Sequence, residues 1–367
     1  MIFATQAKLS TGWASNVRLA QAEGRITTIE VDQAPLPADY RVDTLLPALG
    51  NLHSHSFQRA MAGMTEHRKA GKDSFWTWRD LMYRFTANLS PDHIEAIAAF
   101  VFMEMQEAGY ASVGEFHYLH HQADGTPYDD LGELSGRIAA ASATTGIGLT
   151  HLPVLYTYGG AGKVPLEAGQ ARFGNSVDRY NTLVERVRGA IALLPPDCRV
   201  GIAPHSLRAT SPNDLGMVLA AHGTGPVHIH IAEQPKEVAD ISAWLGARPV
   251  DWLLANAAVT PDWCLIHATH MTADETRNMA KSGAVAGLCP ITEANLGDGP
   301  FNGPSYLAAN GAFGVGSDSN VLISLTEELR TLEYSQRLRD LERNIMVTGE
   351  GSVGATLYAG AAKGGAQ

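Results

Sequence analysis

From residue 46 onward, apolar segments of five to seven residues alternate with longer stretches whose apolar side chains recur every three or four positions. The short segments fall at 46–52, 111–116, 148–154, 199–203, 227–231, 263–267, 284–288 and 313–317. Helical periodicity separates most of them, as at 91–108, 181–193, 212–221, 236–245 and 272–282. Pro91 opens the first of these helices and Gly109 ends it, the common asymmetry of helix boundaries. Eight strands alternating with helices predict an α/β fold of the (β/α)8 TIM-like barrel kind, with its chemistry at the C-terminal ends of the strands. A doubly wound open sheet is the rival arrangement, and it is disfavoured because no glycine-rich phosphate loop follows any strand.

The first 45 residues have another character. Ile2-Phe3-Ala4, 17–20 and 26–31 are β-rich, and Glu23-Gly24 supplies a turn between two of them. The expected domains are therefore a small N-terminal β-sheet domain over 1–45 and the barrel over 46–367. The amphipathic segment 325–341 is expected to pack on the barrel, and the glycine-rich tail reads as a loop followed by the mere start of a helix.

Composition acts mainly as a filter. A net charge of −11 argues against a nucleic-acid surface and against a polybasic membrane patch. No run approaches 18 consecutive apolar residues, and MIFATQAKLSTGWASN has no basic start followed by an apolar stretch, so neither a membrane span nor a signal peptide is expected. Three scattered cysteines, Cys198, Cys264 and Cys289, make no metal-type pair and fit a reducing, cytoplasmic setting.

The polar residues at the strand ends point to chemistry. Side chains alternate along a strand, so His53 and His55 of GNLHSHSFQRAMAG share one face. A lone HxH is weak evidence and describes polar loop residues equally well. VHIHIAE adds His228 and His230 on one inward face; the deeper His228 suits a hydrogen-bonded core position and His230 a metal ligand. Glu233 lies just past that strand, where an unligated carboxylate can move a proton. LIHATH directs His267 into the barrel mouth, and GVGSDSN closes the last strand with Asp318. The coincidence of these residues at successive strand ends predicts a hydrolytic metal site. Elsewhere, His117, His120 and His121 of HYLHH suit loop or supporting roles, and Glu115 is either a second acid or a buttress for a ligand. His67, Arg68 and Arg84 suit solvated positions, and Trp76 and Trp78 either wall a pocket or pack.

LPALGNLHSH, HIHIAE, LIHATH and GVGSDSN, in this order and spacing, resemble the amidohydrolase superfamily of metal-dependent barrels over nearly the whole chain. HIHIAE, in place of a metal-bridging lysine on the fourth strand, is similar to the mononuclear deaminase branch. The resemblance implies one divalent metal ion, Zn2+ first and Fe2+ as the alternative, held by His53, His55, His230 and Asp318. Longer strings (HSHSFQRAMAGMTEHR, DSFWTWRDLMYR, VGEFHYLHH, GIAPHSLRA and HIHIAEQPKEV) resemble the members that deiminate N-formimino-L-glutamate to N-formyl-L-glutamate and ammonia in histidine degradation. In that chemistry, water activated at the metal attacks the formimino carbon, Glu233 shuttles protons, and His267 and Asp318 assist. The resemblance also places Gln58, Arg79, Tyr118, His205 and Arg208 around a small-molecule substrate whose two carboxylates call for arginine. A homodimer is compatible with the family. In the family, strands after the barrel usually complete the small β-sandwich; here the sequence stops at 364–367 without that return, so the expected small domain lacks them.

Two other readings compete. An aminohydrolase of the same branch acting on a purine, pyrimidine or triazine ring would share the metal site but would not need Arg208 beside a second cation. A catalytically silent metal-binding scaffold would have lost Glu233 or His267, and both are present.

Overall fold

The computed structural model describes residues 1–68, 71 and 73–367. Its contacts divide the chain into two compact units, Met1–Ala48 and Leu49–Gln367.

The first unit is a four-stranded sheet of β1 (Ile2–Leu9), β2 (Gly12–Ala22), β3 (Arg25–Glu30) and β4 (Tyr40–Leu45), ordered β3-β2-β1-β4. Glu23 and Gly24 both adopt positive φ, as a two-residue hairpin turn requires, and β2 and β3 run antiparallel on either side. β4 lies parallel to β1. Arg18 on β2 donates to both carboxylate oxygens of Asp39 at 2.9 and 3.1 Å, which ties the approach of β4 to the sheet. Sequence reading missed β4 and ran a single strand through 46–52. The observed break falls around Pro47, which cannot donate a ladder hydrogen bond.

The second unit is the (β/α)8 barrel. Its strands are β5 (Leu49–Ser54), β6 (Tyr110–His117), β7 (Gly148–Leu155), the short β8 (Arg199–Val200) and β9 (Ala203–Pro204), β10 (Val227–Ile231), β11 (Trp263–His267), β12 (Val285–Leu288) and β13 (Ala312–Val315). Pairing is parallel throughout. The expected strand at 199–203 is split, since its two short halves pair with different parts of β7. Two parallel bridges, Ile202 with Val227 and Ser206 with His230, carry the pairing on to β10. The ring closes where Ser54 bridges Asp318, so the seam between the last and first barrel strands runs through the site residues.

Alternation along β11 shows the two faces of the wall. Leu265 joins the large core cluster that includes Ile94, Leu134, Ile138, Leu183 and Val184 from the surrounding helices. Cys264 and Ile266 join a smaller cluster with Val285, Cys289 and Leu52. Burying each such aliphatic side chain contributes about 1.5–3 kcal/mol. No described helix is long and apolar enough to cross a membrane.

Helix Leu325–Asp340 packs on the barrel through buried Leu329 and Leu332. The tail forms a complete helix, Val353–Gly365, where sequence reading expected only its start; buried Leu357 and Ala361 anchor it despite the glycines. Glu328, fully buried, accepts the Ile291 N–H at 2.9 Å, and its second oxygen has no hydrogen-bond partner among the described residues. Burial raises this carboxyl well above 4.5. A raised folded pKa gives stability that is full below 4.5 and lost as pH rises through the folded value. Glu328→Gln is therefore expected to flatten the fall of the melting temperature as pH rises above 4.5, read by calorimetry across pH.

Candidate active site

Parallel pairing brings the strand ends together. Along the seam, His55 N–H donates to the Asp318 carbonyl and Asp318 N–H to the His53 carbonyl, both at 2.9 Å. Asn320 locks this junction: its amide donates to Ser54 Oγ and to the carbonyls of His55 and Asp318 at 3.0–3.1 Å. Asn51 and Ser317 exchange hydrogen bonds beneath it. Arg59 grips Glu104 with two 2.7 Å bonds and also donates to the carbonyls of Asn320 and Val321, binding the loop after β13 to helix Pro91–Glu107.

Close approach at the seam depends on Gly316. A Cβ there would lie 2.6 Å from His53 N and 2.7 Å from His53 O. Gly316→Ala is expected to cost about 1–3 kcal/mol of stability through overpacking against the His53 backbone. Thermal melts of the variant check the loss.

Backbone strain also gathers here. Ala232, His267, Ala268, Asp318 and Asn320 all hold positive φ between 44° and 67°, a region non-glycine residues seldom occupy. These left-handed positions turn the chain at the ends of β10, β11 and β13 and leave His267 and Asp318 lining the cleft.

The three imidazoles meet edge to edge. His53 Nε2 lies 3.2 Å from His55 Nε2 and 3.1 Å from His230 Nε2. Asp318 Oδ1 stands 3.5 Å from the first and 3.3 Å from the second. Burial depresses all three imidazoles, His53 to about 3, so they are neutral. Asp318 is held below the usual carboxylate range: burial opposes this, but the hydrogen bond from His53 and the surrounding imidazoles outweigh it.

Tautomers follow from the outer nitrogens. His55 Nδ1 lies 2.8 Å from the Phe116 carbonyl and His230 Nδ1 lies 3.1 Å from the His205 carbonyl; each must donate there, which leaves its Nε2 as a lone pair. One Nε2–H on His53 then faces two inward lone pairs and a carboxylate oxygen, so acceptors outnumber donors, and a cation among them would balance the set. The three clustered imidazoles, with the Asp318 carboxylate beside two of them, fit a divalent transition metal.

Around this point lies a cleft of about 540 Å³, its open mouth included, lined in part by His55, His230, Glu233, His267 and Asp318. Glu233 is 5% exposed, with one oxygen 3.6 Å from His267 Nε2 and the other 3.6 Å from Arg208. Burial raises its carboxyl. Burial alone would lower His267, but Glu233, its hydrogen bond to Glu293 and Asp318 together raise it. Glu237 holds this corner, accepting the N–H groups of Ala232 and Glu233 at 3.2 and 3.1 Å while lying 3.8 Å from Arg208 Nε.

Each of the residues expected around a substrate lines the same cleft: Gln58, Arg79, Tyr118, His205 and Arg208. Gln58 donates to Tyr118 Oη at 2.7 Å. Arg79, on helix Phe75–Thr86, lies over the rings of Trp76 and Tyr83, and among the described residues neither its Nε nor that of Arg208 has a hydrogen-bond partner. Trp78 lines the cleft, whereas Trp76 underlies Arg79. His228 is buried below His230, and His120 and His121 bond to the carbonyls of Val154 and Gly174, away from the cleft. Glu115 accepts Ser56 N–H at 2.8 Å and so supports the segment after His55. Sequence reading missed Glu237, Glu293, Tyr83, Tyr156 and Asn320. Only Glu237 carried a signal, one helical turn beyond Glu233 in EQPKE.

Residues 44–350 match the model of the amidohydrolase family, and residues 1–43 match the model described as formimidoylglutamate deiminase HutF, N-terminal domain. The chain is 51% identical over 369 residues to formimidoylglutamate deiminase from Pseudomonas aeruginosa, an alignment covering 100% of this chain and 81% of that one. The crystal structure of an amidohydrolase from Brucella melitensis matches with a TM-score of 0.97 at 52% identity, covering 99% of this chain and 81% of that one. An adenosine deaminase from Xanthomonas campestris with bound zinc matches with a TM-score of 0.77 at 19% identity, over 100% of this chain and 78% of that one, a likeness of fold alone.

Proposed function

The chain belongs to the amidohydrolase family, and on that premise we propose that it is a metal-dependent deiminase converting N-formimino-L-glutamate and water to N-formyl-L-glutamate and ammonia. One observation carries the reading: three clustered imidazoles, with Asp318 within 3.5 Å of two of them, lie at a cleft that two arginines line, each with an Nε that has no hydrogen-bond partner among the described residues. A cleft of that kind suits a substrate with an amidine at one end and two carboxylates at the other.

A single divalent ion, Zn2+ ahead of Fe2+, held by His53, His55, His230 and Asp318, would make water nucleophilic near neutral pH and polarise the amidine carbon. Glu233 takes a proton from the attacking water and passes it to the terminal nitrogen. The C–O bond forms as the C=N double bond becomes single; the remaining hydroxyl proton then passes, again through Glu233, to the same nitrogen as the C–N bond breaks and the C=O bond forms, so the nitrogen leaves as ammonia. His267, kept cationic by its carboxylate neighbours, orients the water and stabilises the charge that develops during attack. Arg208 and Arg79 bind the carboxylates, with Gln58, Tyr118 and His205 completing the grip. The small sheet (1–45) and the barrel (46–367) are taken as the two domains, the barrel holding every one of these residues.

Product analysis tests this chemistry. Loss of the terminal nitrogen gives ammonia and N-formyl-L-glutamate in equal amounts. Formamide and L-glutamate would mean that the other C–N bond is cut, and the roles given to Glu233 and the arginines would be wrong.

A further inference from the structure

Gln170 is 1% exposed and belongs to the short 3-10 turn Ala168–Phe173. Its amide is oriented from one side, because its oxygen accepts the Glu167 N–H at 2.9 Å. The nitrogen is left to donate, and its two nearest acceptors are the hydroxyl oxygens of Tyr156 at 3.0 Å and Tyr83 at 3.2 Å, with the Gly159 carbonyl farther off at 3.5 Å. Each phenol oxygen therefore receives a hydrogen, and each O–H proton is left to find another acceptor. Among the described residues, neither hydroxyl donates to a protein acceptor. Both tyrosines line the cleft beside Arg79 and Arg208.

The rings are held as firmly as the amide. Gly169 lets the turn press on Tyr83, since a Cβ there would lie 2.8–2.9 Å from the ring and its Cβ. The Arg79 guanidinium stands 5.4 Å from the Tyr83 centroid, and the Tyr156 ring packs edge-on to His205 at 4.5 Å. We propose that Tyr83 and Tyr156 form a carboxylate-binding subsite of this cleft, with Gln170 as the positioning residue that keeps both phenol hydrogens turned toward the ligand. The subsite rests on the reading that the substrate is a dicarboxylate. It also explains discrimination: two guanidiniums and two phenol donors are matched by carboxylates and would be left unpaired by a neutral ring.

Gln170→Glu keeps the shape and reverses the hydrogen bonds. The new carboxylate accepts from both phenols, turning their hydrogens away from the cleft, and adds a negative charge behind them. Tyr156→Phe and Tyr83→Phe remove one donor each and keep the ring. Calorimetry with glutarate, an unreactive dicarboxylate, on the metal-loaded protein gives the affinities, and steady-state kinetics with N-formimino-L-glutamate give KM and kcat. Metal content and circular dichroism identify the folded variants. The expected result is a loss of about tenfold in glutarate affinity for each phenylalanine variant and at least as much for Gln170→Glu, with KM rising more than kcat falls. Unchanged glutarate affinity in folded Tyr156→Phe and Gln170→Glu would overturn the subsite and leave the deiminase reading standing. Weakened glutarate binding in a protein that releases no ammonia would overturn the reading and keep the subsite.

Discussion

Replacing Glu233 with glutamine is expected to lower kcat for ammonia release by about 10²–10⁴-fold while leaving the bound metal in place. The magnitude follows from what the carboxylate alone can do in this cleft. It is buried, it lies outside the proposed ligand set of His53, His55, His230 and Asp318, and it reaches both His267 and Arg208 at 3.6 Å. Glutamine keeps the size and the neighbouring backbone bonds to Glu237, but it cannot accept a proton from water. A pH profile adds a second check. Burial raises the Glu233 carboxyl above the ordinary 4.5, so the ionised base is lost on acidification from a point above that value. The acid limb of kcat/KM should lie correspondingly high in the wild type and vanish from the residual rate of the glutamine variant. A variant with metal bound and activity within a few-fold of wild type would mean that another group carries the proton.

Stripping the divalent metal is expected to abolish ammonia release, and returning zinc to restore it. His230→Ala should not be restored, because it removes the Nε2 that lies 3.1 Å from His53 Nε2. The same ion should stabilise the fold. At free metal a hundredfold above Kd, linkage gives about 2.7 kcal/mol, read as a rise in melting temperature on adding zinc to the stripped protein. The structural reason is that His55 and His230 both turn an Nε2 lone pair inward, that of His55 3.3 Å from Asp318 Oδ1, an excess of acceptors that a cation would balance. Activity that survives complete removal of metal would break the account at its first step.

Much of this was legible in the sequence because strand periodicity is a strong local signal. A period of two puts His53 and His55 on one face, and it does the same for His228 and His230; the barrel rhythm then places their strands across one ring from each other, with their C-terminal ends at the same mouth. What stayed hidden depends on contacts between distant parts of the chain. Asn320 clamps Ser54 across a separation of 266 residues, and Gln170 reaches Tyr83 across 87. Neither residue carries a mark of its role in its own neighbourhood. β4 escaped because its alternation is short, Tyr40, Val42 and Thr44 separated by Arg41 and Asp43, and its residues are exposed or half-buried. The tail helix escaped because glycine argues against helix locally, while burial of Leu357 and Ala361 decides the matter.

The most direct test compares kcat/KM for ammonia release from N-formimino-L-glutamate with the values for guanine, cytosine and adenosine, using the zinc-loaded protein. The account predicts turnover of the dicarboxylate amidine and none of the rings. Turnover of a ring with N-formimino-L-glutamate left untouched would keep the metal site and contradict the carboxylate cleft.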